Sequence, residues 1–291
     1  MKRREFFKFT ALTAGALTVS PYTKIFSAKD IFLKEKKYAN DIVTLGKTGI
    51  KVSRLAMGTG TNGFAYRSDQ KDELGVNGLA DLLVAAYEQG INFWDSADQY
   101  GTHPSLKEAL KQIKRDKVVI LTKTEADTAD EMKSDLDRFL KEIGTDYIDI
   151  LLLHCMRSSD WPKEKEGAME VLEKAGKDGI IRAHGVSCHT IGALEAASNS
   201  DWVQIDLARI NPKGVLMDDN VPVVEKVLRK MHEQGKGIVG MKIFGGGRLT
   251  YKTDECLRYA LKLDFIDAFT IGQESKNQMI DLIKRIPEAS I

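Results

Sequence analysis

Four side chains of types that move protons occur in order along the chain: Asp95, Tyr100, Lys123 and His154. A tyrosine is a weak acid, with a pKa of about 10 in water. A lysine cation beside the phenol favours the phenolate and lowers that pKa, and a carboxylate keeps the lysine charged and oriented. A neighbouring imidazole can hold the oxygen of a carbonyl group. Together these groups suit protonation of a carbonyl oxygen that accepts a hydride.

The elements that must position these groups alternate between short apolar runs and amphipathic helical segments. Eight apolar runs are predicted strands, and they cover 55–60, 92–97, 118–123, 149–155, 183–188, 202–208, 237–244 and 268–272. Between them, segments such as 132–143 and 221–235 place their apolar residues on one helical face. The pattern predicts a (β/α)8 TIM barrel, in which functional residues lie at the carboxyl ends of the strands.

Further patterns support the barrel and divide the chain into segments. Glycines 90, 144, 179 and 235 follow helical segments, where left-handed caps are common. A doubly wound sheet is disfavoured because no G-x-G-x-x-G fingerprint follows the first strand. Around a Lys-Thr-Gly turn, two short apolar runs at the start of the barrel domain predict a β-hairpin. We expect a signal segment at 1–30, a linker at 31–41 and the barrel domain at 42–291.

Composition excludes some other classes of protein. The chain has 291 residues, 43% of them hydrophobic, and a net charge of +1, which gives no indication of a nucleic-acid partner. Its three cysteines lack a C-x-x-C motif, which argues against a disulfide framework or an iron–sulfur cluster.

The first 30 residues resemble a twin-arginine export signal. Arg3 and Arg4 precede an apolar run that is too short to span a membrane. The resemblance implies export of the folded protein by the twin-arginine machinery to the periplasm, with no stable membrane insertion of the mature domain. A basic tail without an export role is the alternative, in which case the protein stays in the cytoplasm.

From about residue 42 onwards, the chain resembles the aldo-keto reductase family. The motifs are LGKTGIKVSRLAMGTGTNG (45–63), DSADQYG (95–101), LTKT (121–124), DYIDILLLHC (146–155), GVSCHT (185–190), VQIDLARINPKG (203–214) and MKIFGGGRL (241–249). The resemblance implies a reduction of an aldehyde or ketone, or the reverse oxidation of an alcohol. It assigns Tyr100 as the general acid, Lys123 and Asp95 as the pair that tunes it, and His154 as the group that orients the carbonyl.

The resemblance also implies a nicotinamide dinucleotide, with NADP(H) favoured over NAD(H). Ser187 and Gln204 match the family positions that hold the carboxamide. Cys188 stands where many members have asparagine, and Met241 stands where many have an aromatic residue. The other expected cofactor contacts come from the first, seventh and eighth strand ends: Gly58, Thr59, Gly245, Gly246, Arg248, Ser275, Lys276 and Gln278. Arg248 and Lys276 are candidates for binding a 2′-phosphate.

Two further features concern the substrate side. The polar segment 156–166 carries Trp161 and is expected to cover one side of the substrate pocket, and the short C-terminal segment suggests an open pocket. A zinc site from His154, Cys155, Cys188, His189 and His103 is disfavoured because neighbouring residues of a regular strand point to opposite faces. The alternatives to the enzyme are a nicotinamide-binding redox sensor or structural subunit and a metal-dependent barrel hydrolase.

Overall fold

The computed structural model describes residues 36–291, and the predicted signal segment lies outside them. The first two strands, β1 (Ile42–Thr44) and β2 (Lys51–Ser53), pair antiparallel as the predicted hairpin. Leu45, Ile50 and Val52 of this hairpin pack against the apolar interior of the barrel. Gly46 N–H donates to the carboxylate of Asp267, which lies just before the last strand. The hairpin therefore closes the amino-terminal end of the barrel.

Eight parallel strands form a closed barrel in the order β10-β3-β4-β5-β6-β7-β8-β9, which confirms the predicted architecture. Their bounds are β3 (Leu55–Gly58), β4 (Phe93–Asp95), β5 (Val119–Thr124), β6 (Ile148–Met156), β7 (Ile181–Cys188), β8 (Ile205–Arg209), β9 (Gly237–Met241) and β10 (Ala268–Gly272). The predicted sixth strand was placed too early, because the structure begins β8 only at Ile205. That difference decides where Gln204 lies.

The helices cover the outside of the barrel. They are α1 (Asp69–Glu88), α2 (His103–Ala109), α3 (Ala129–Ile143), α4 (Trp161–Glu164), α5 (Glu166–Lys177), α6 (Ile191–Asn199), α7 (Val221–Glu233), α8 (Thr253–Lys262) and α9 (Lys276–Ala289). Met132, Leu136 and Phe139 are the buried face of α3, as the periodicity predicts. Among the described residues, no helix combines the length and the apolar character that a membrane span requires.

The helix ends and the segment before the hairpin agree with the physics of local sequence. Gly90, Gly144, Gly179 and Gly235 all adopt positive φ angles after helices, as the sequence predicts. In the predicted linker, Ala39 is buried and its carbonyl accepts a hydrogen bond from Leu55 N–H. The last residues of that segment thus pack against the barrel.

Candidate active site

The carboxyl ends of the barrel strands surround a cavity of about 1100 Å³. Asp95, Tyr100 and His154 line its floor, each at or just beyond the end of a strand. Loops that follow the strands form the rest of the cavity wall. The structure therefore brings the predicted proton-moving groups to the functional end of a TIM barrel.

The base of the site is a buried ion pair. Lys123 Nζ lies 2.6 Å from Asp95 Oδ1 and donates a second hydrogen bond of 2.5 Å to Ser96 O. The other oxygen of Asp95 accepts a hydrogen bond of 2.9 Å from Thr270 Oγ1. Burial acts strongly against the charge of Lys123, but the attraction of Asp95 and Tyr100 outweighs it and raises the pKa of this ammonium. The lysine is held charged, with both carboxylate oxygens fixed.

Tyr100 ends a short 3-10 turn that is anchored from outside the cavity. Asp98 in this turn accepts two hydrogen bonds, of 2.6 and 2.9 Å, from Arg138 of α3. The Lys123 ammonium lies 4.8 Å from the centroid of the Tyr100 ring. The His154 ring packs edge-on against Tyr100, with ring centroids 5.9 Å apart and an interplanar angle of 83°. The phenol thus lies close to both a cation and an imidazole.

Two glycines enclose the Tyr100 ring. A Cβ on Gly60 would lie 2.1 Å from ring atom Cε2, and a Cβ on Gly63 would lie 2.2 Å from Cδ1. These distances are far below the contact distance of about 3.5–4.0 Å between carbon atoms. The backbone of 60–63 therefore packs against both edges of the ring at a separation that only glycine permits.

The pKa of Tyr100 differs from the sequence-based expectation. Burial is the largest influence and raises the pKa of the phenol, while Lys123 opposes this effect and Asp95 adds to it. The expected lowering by Lys123 is present, but burial exceeds it. The phenol accordingly stays protonated at neutral pH, which is the form that an acid must have.

His154 is a neutral imidazole. Burial lowers its pKa well below the usual value, and the positive charges of Lys123 and Lys242 lower it further. Its Nδ1 atom is buried and has no hydrogen-bond partner in the structure. A neutral ring carries one N–H donor, which is the group needed to hold a carbonyl oxygen.

Five of the expected cofactor residues line the same cavity. Gly58 lies at the end of β3, Met241 at the end of β9, and Gly246, Arg248 and Gln278 in and after the loops that follow β9 and β10. Gly246 adopts a positive φ angle. Arg248 is exposed and forms no ion pair with any described residue.

Gln204, expected to hold the carboxamide, does not line the cavity. It precedes β8, and its Oε1 accepts a hydrogen bond from His184 N–H. The β7–β8 register pairs Gly185 with Ile205, so Gln204 lies level with His184. Ser187 is three residues further along β7, or about 10 Å closer to the cavity.

Cys188 also fails as a cavity residue, because strand alternation directs it outward. It is 1% exposed and belongs to the core between the barrel and the helices. The next residue, His189, lines the cavity instead. Ser187 is fully buried, and its Oγ accepts a hydrogen bond from Cys155 N–H. The sequence motif therefore presents its histidine rather than its cysteine to the cavity.

The remaining expected cofactor residues lie outside the cavity lining, within or next to the loops that follow the strands. Thr59 is fully buried, and its hydroxyl bonds to Asp95 O and to Thr102. Ser275 caps α9 by accepting from Gln278 N–H, and the neighbouring Lys276 is exposed outside the cavity wall. A Cβ on Gly245 would lie 3.0 Å from Val215, because this glycine packs into the loop. These residues do not line the cavity.

Polar residues on the cavity wall beyond those expected to bind the cofactor include His189, Lys242 and Gln273. Both side-chain polar atoms of Gln273 are buried without a hydrogen-bond partner among residues 36–291. Lys242 has a positive φ angle of 54°. Strand alternation could have found His189, but an irregular residue such as Lys242 leaves no signal in the pattern.

Trp161 forms a fixed wall rather than part of a mobile loop. It begins α4, is 1% exposed, and its indole N–H donates to Ala193 O at 3.2 Å. Its ring also packs edge-on against Trp202. The structure places Trp161 on the wall of the cavity.

His103 does not belong to any cavity cluster of metal ligands. Its two ring nitrogens bond to Glu142 and Thr122 on the outer side of β5. Asp98, His103 and Glu142 lie close enough together to hold a cation. The guanidinium of Arg138 bonds to Asp98 and Glu142, so these carboxylates already have a cationic partner.

The fold and this site define a class of protein: a barrel whose mouth holds a tyrosine, a lysine–aspartate pair and a neutral histidine. The model of the Aldo/keto reductase family matches residues 54–283. The chain belongs to this family.

The relatives include Probable aldo-keto reductase 1 of Glycine max, which is 28% identical over 224 residues, 70% of this chain and 61% of that protein. D-threo-aldose 1-dehydrogenase of Pseudomonas sp is 26% identical over 69% of this chain and 68% of that protein. The match thus spans about two thirds of the length of these relatives. An aldo-keto reductase of Bacillus halodurans in its holo form has a TM-score of 0.69 at 18% identity, covering 87% of this chain and 91% of that one, and so shows the same fold.

Proposed function

We propose that this protein transfers a hydride between a nicotinamide cofactor and an aldehyde or ketone, or the corresponding alcohol. Family membership supports the reaction class. The observation that carries the proposal is the buried contact of Lys123 with Asp95 beneath the Tyr100 ring. A charged lysine fixed in this way stabilises the phenolate that remains after Tyr100 has given up its proton.

Each residue of the site has one task in the reductive direction. Tyr100 donates its phenolic proton to the carbonyl oxygen, because its raised pKa keeps the proton in place until negative charge develops on that oxygen. His154, as a neutral imidazole, holds the same oxygen through its N–H group. Lys123, which Asp95 keeps charged and oriented, stabilises the resulting phenolate. General acid catalysis of this kind contributes about 10²–10⁴-fold to the rate.

The cavity residues fit a dinucleotide. Gln273 offers an unpaired amide, and Lys242 and Arg248 offer cations that form no ion pair with a described residue. Gly246 and Gly247 place backbone with positive φ angles on the cavity wall, where a phosphate can approach closely. A reduced nicotinamide, when bound, supplies the hydride that no side chain can provide.

We further propose that NADP(H) is preferred over NAD(H). Arg248 lines the cavity, is exposed and forms no ion pair with a described residue, so it can pair with a 2′-phosphate, while the negative charge of Glu274, which also lines the cavity, opposes such binding. Another relative, the NADPH-dependent alpha-keto amide reductase of Saccharomyces cerevisiae, is 34% identical over 158 residues, half of this chain. Titrating wild type and Arg248→Ala with each cofactor tests the preference. A selective loss of NADPH affinity supports it, and equal losses for NADPH and NADH contradict it.

The experiment that tests the activity combines binding with turnover. Quenching of tryptophan fluorescence by NADPH or NADH measures binding, and the decay of reduced cofactor absorbance measures reduction of a panel of small aldehydes and ketones. D-threo-Aldoses with oxidised cofactor test the reverse direction that the name of the Pseudomonas relative suggests. Binding without turnover on any of these substrates would favour a nicotinamide-binding sensor over an enzyme.

We also propose that residues 1–30 direct the folded protein to the periplasm by the twin-arginine route. Arg3 and Arg4 precede an apolar run, and a cofactor-binding barrel that folds before transport can carry its cofactor along. Cells that express the native chain or the Arg3→Lys, Arg4→Lys double variant would be fractionated. Periplasmic protein only with the native arginines supports the proposal, and a wholly cytoplasmic native chain contradicts it.

A further inference from the structure

The end of β6 departs from regular strand geometry beside the catalytic groups. Cys155 has a φ angle of 60°, a left-handed conformation that is uncommon outside glycine. The β6–β7 register shifts between Leu153 and Met156, so His154 and Cys155 lie within an irregularity. Because of it, these adjacent residues both line the cavity. At this irregular position, strand alternation does not direct the two side chains to opposite faces of the barrel.

Cys155 lies against the histidine that the sequence analysis did not assign to the cofactor. Its Sγ atom is 3.4 Å from His189 Nε2, and both side chains are partly exposed on the cavity wall. Two backbone hydrogen bonds fix the pair: Cys155 N–H donates to Ser187 Oγ at 3.0 Å, and His189 N–H donates to Met156 O at 2.7 Å. The donor atoms are thus held by the barrel itself.

The separation of the two donor atoms matches a zinc ion. Zn–S bonds of about 2.3 Å and Zn–N bonds of about 2.0 Å at a tetrahedral angle place sulfur and nitrogen about 3.5 Å apart. The observed distance of 3.4 Å requires almost no movement of either side chain. The cavity leaves the other coordination positions open to water or to a substrate oxygen.

We propose that Cys155 and His189 form a binding site for Zn²⁺ and similar thiophilic divalent ions, and that a bound ion inhibits the enzyme. On binding, the Cys155 thiol loses its proton to solvent and the thiolate and imidazole each donate an electron pair to the ion. The ion then occupies the cavity that His154 also lines and competes with the substrate for this space. The binding step stands on geometry alone, while the inhibition rests on the proposed reductase function.

The binding step is tested with Co²⁺, whose bond to a thiolate gives a charge-transfer absorption in the near ultraviolet. The full-length protein, freed of metal by a chelator, is titrated with Co²⁺ and then with Zn²⁺. We expect one equivalent of Co²⁺ to produce the band and Zn²⁺ to abolish it. The band should be absent in Cys155→Ser, and the Co²⁺ affinity should fall at least about 10-fold in His189→Gln.

Cys256→Ala serves as the matched control, because Cys256 is buried in α8 away from the cavity. It should retain the band. No band in wild type, or a band that persists in Cys155→Ser, would overturn the metal site.

Inhibition is measured separately, as the rate of carbonyl reduction with increasing Zn²⁺ relative to the metal-free rate of each variant. Wild type and Cys256→Ala should be inhibited at concentrations at which Cys155→Ser is unaffected. Equal inhibition of all three would overturn the inhibitory role. A cobalt band in a protein that reduces no carbonyl would leave the metal site standing and refute the reductase function instead.

Discussion

The enclosure of Tyr100 by glycines predicts that a single methyl group at position 60 will impair turnover. In Gly60→Ala, the new Cβ would begin 2.1 Å from Cε2 of Tyr100, about 1.5 Å inside normal contact distance. The ring cannot move away freely, because Gly63 backbone packs against its other edge. The clash must displace the ring or the loop by about 1 Å or more.

A displacement of that size at a reacting group costs about 10²-fold in rate. This corresponds to about 2.7 kcal/mol of transition-state stabilisation. Overpacking should also lower the free energy of unfolding by about 1–3 kcal/mol. We therefore expect kcat of Gly60→Ala to fall about 100-fold. The protein should remain folded, and NADPH should still quench its tryptophan fluorescence.

The assay compares kcat at saturating cofactor for wild type, Gly60→Ala and a control glycine. Gly176→Ala is suitable, since this helical glycine has only an ordinary contact at 4.0 Å from Ile181, and it should keep wild-type turnover. In a Tyr100→Phe background, Gly60→Ala should cause little further loss. A folded Gly60→Ala protein with turnover within twofold of wild type would refute the argument that these glycines position the ring.

Two further predictions concern buried charges. Lys123→Met should lower kcat and change the pH profile of kcat more than Lys117→Met does. The reason is that Lys123 is fully buried against Asp95, whereas the Lys117 side chain is 56% exposed. Equal effects of the two substitutions would contradict this prediction. The two carboxylate oxygens of Asp206 have no hydrogen-bond partner among the described residues, and burial raises the pKa of this group well above its usual value. As pH rises from about 4 towards that raised pKa, Asp206 ionises in the unfolded chain but stays protonated in the folded one, so the free energy of unfolding falls. In urea unfolding, the free energy of unfolding of Asp206→Asn should therefore rise by about 1–3 kcal/mol relative to that of wild type between pH 4 and pH 8. An identical pH dependence of both proteins would show that Asp206 does not titrate in this way.

The barrel and the positions of the proton-moving groups could be predicted from the sequence because strand-end residues carry strong signals. A polar residue at the end of an apolar run, as with Lys123 or His154, is placed at the carboxyl end of a strand by pattern alone. Parallel strands in a closed barrel then bring these ends together. The closed barrel brings together side chains that are far apart in the sequence.

The errors have one physical origin, which is that a strand's first residue and its register are poorly marked. Gln204 matches a family position that holds the carboxamide, but β8 begins only at Ile205, three residues after the predicted start, and three residues along a strand span about 10 Å. Cys188 and Ser187 were both assigned to the cavity although alternation allows only one of two neighbours to face it. At Cys155 the left-handed backbone breaks this alternation, so that His154 and Cys155, although neighbours, both face the cavity. No residue type in the sequence indicates this conformation.

The central claim is that the phenol of Tyr100 delivers the proton in carbonyl reduction, and Tyr100→Phe tests it most directly. Phenylalanine keeps the ring between Gly60 and Gly63 and removes only the hydroxyl group. Single-turnover reduction of an aldehyde by the protein with bound NADPH should slow by about 10²–10⁴-fold, while the affinity for NADPH stays within twofold of wild type. A wild-type rate in this variant would contradict the account.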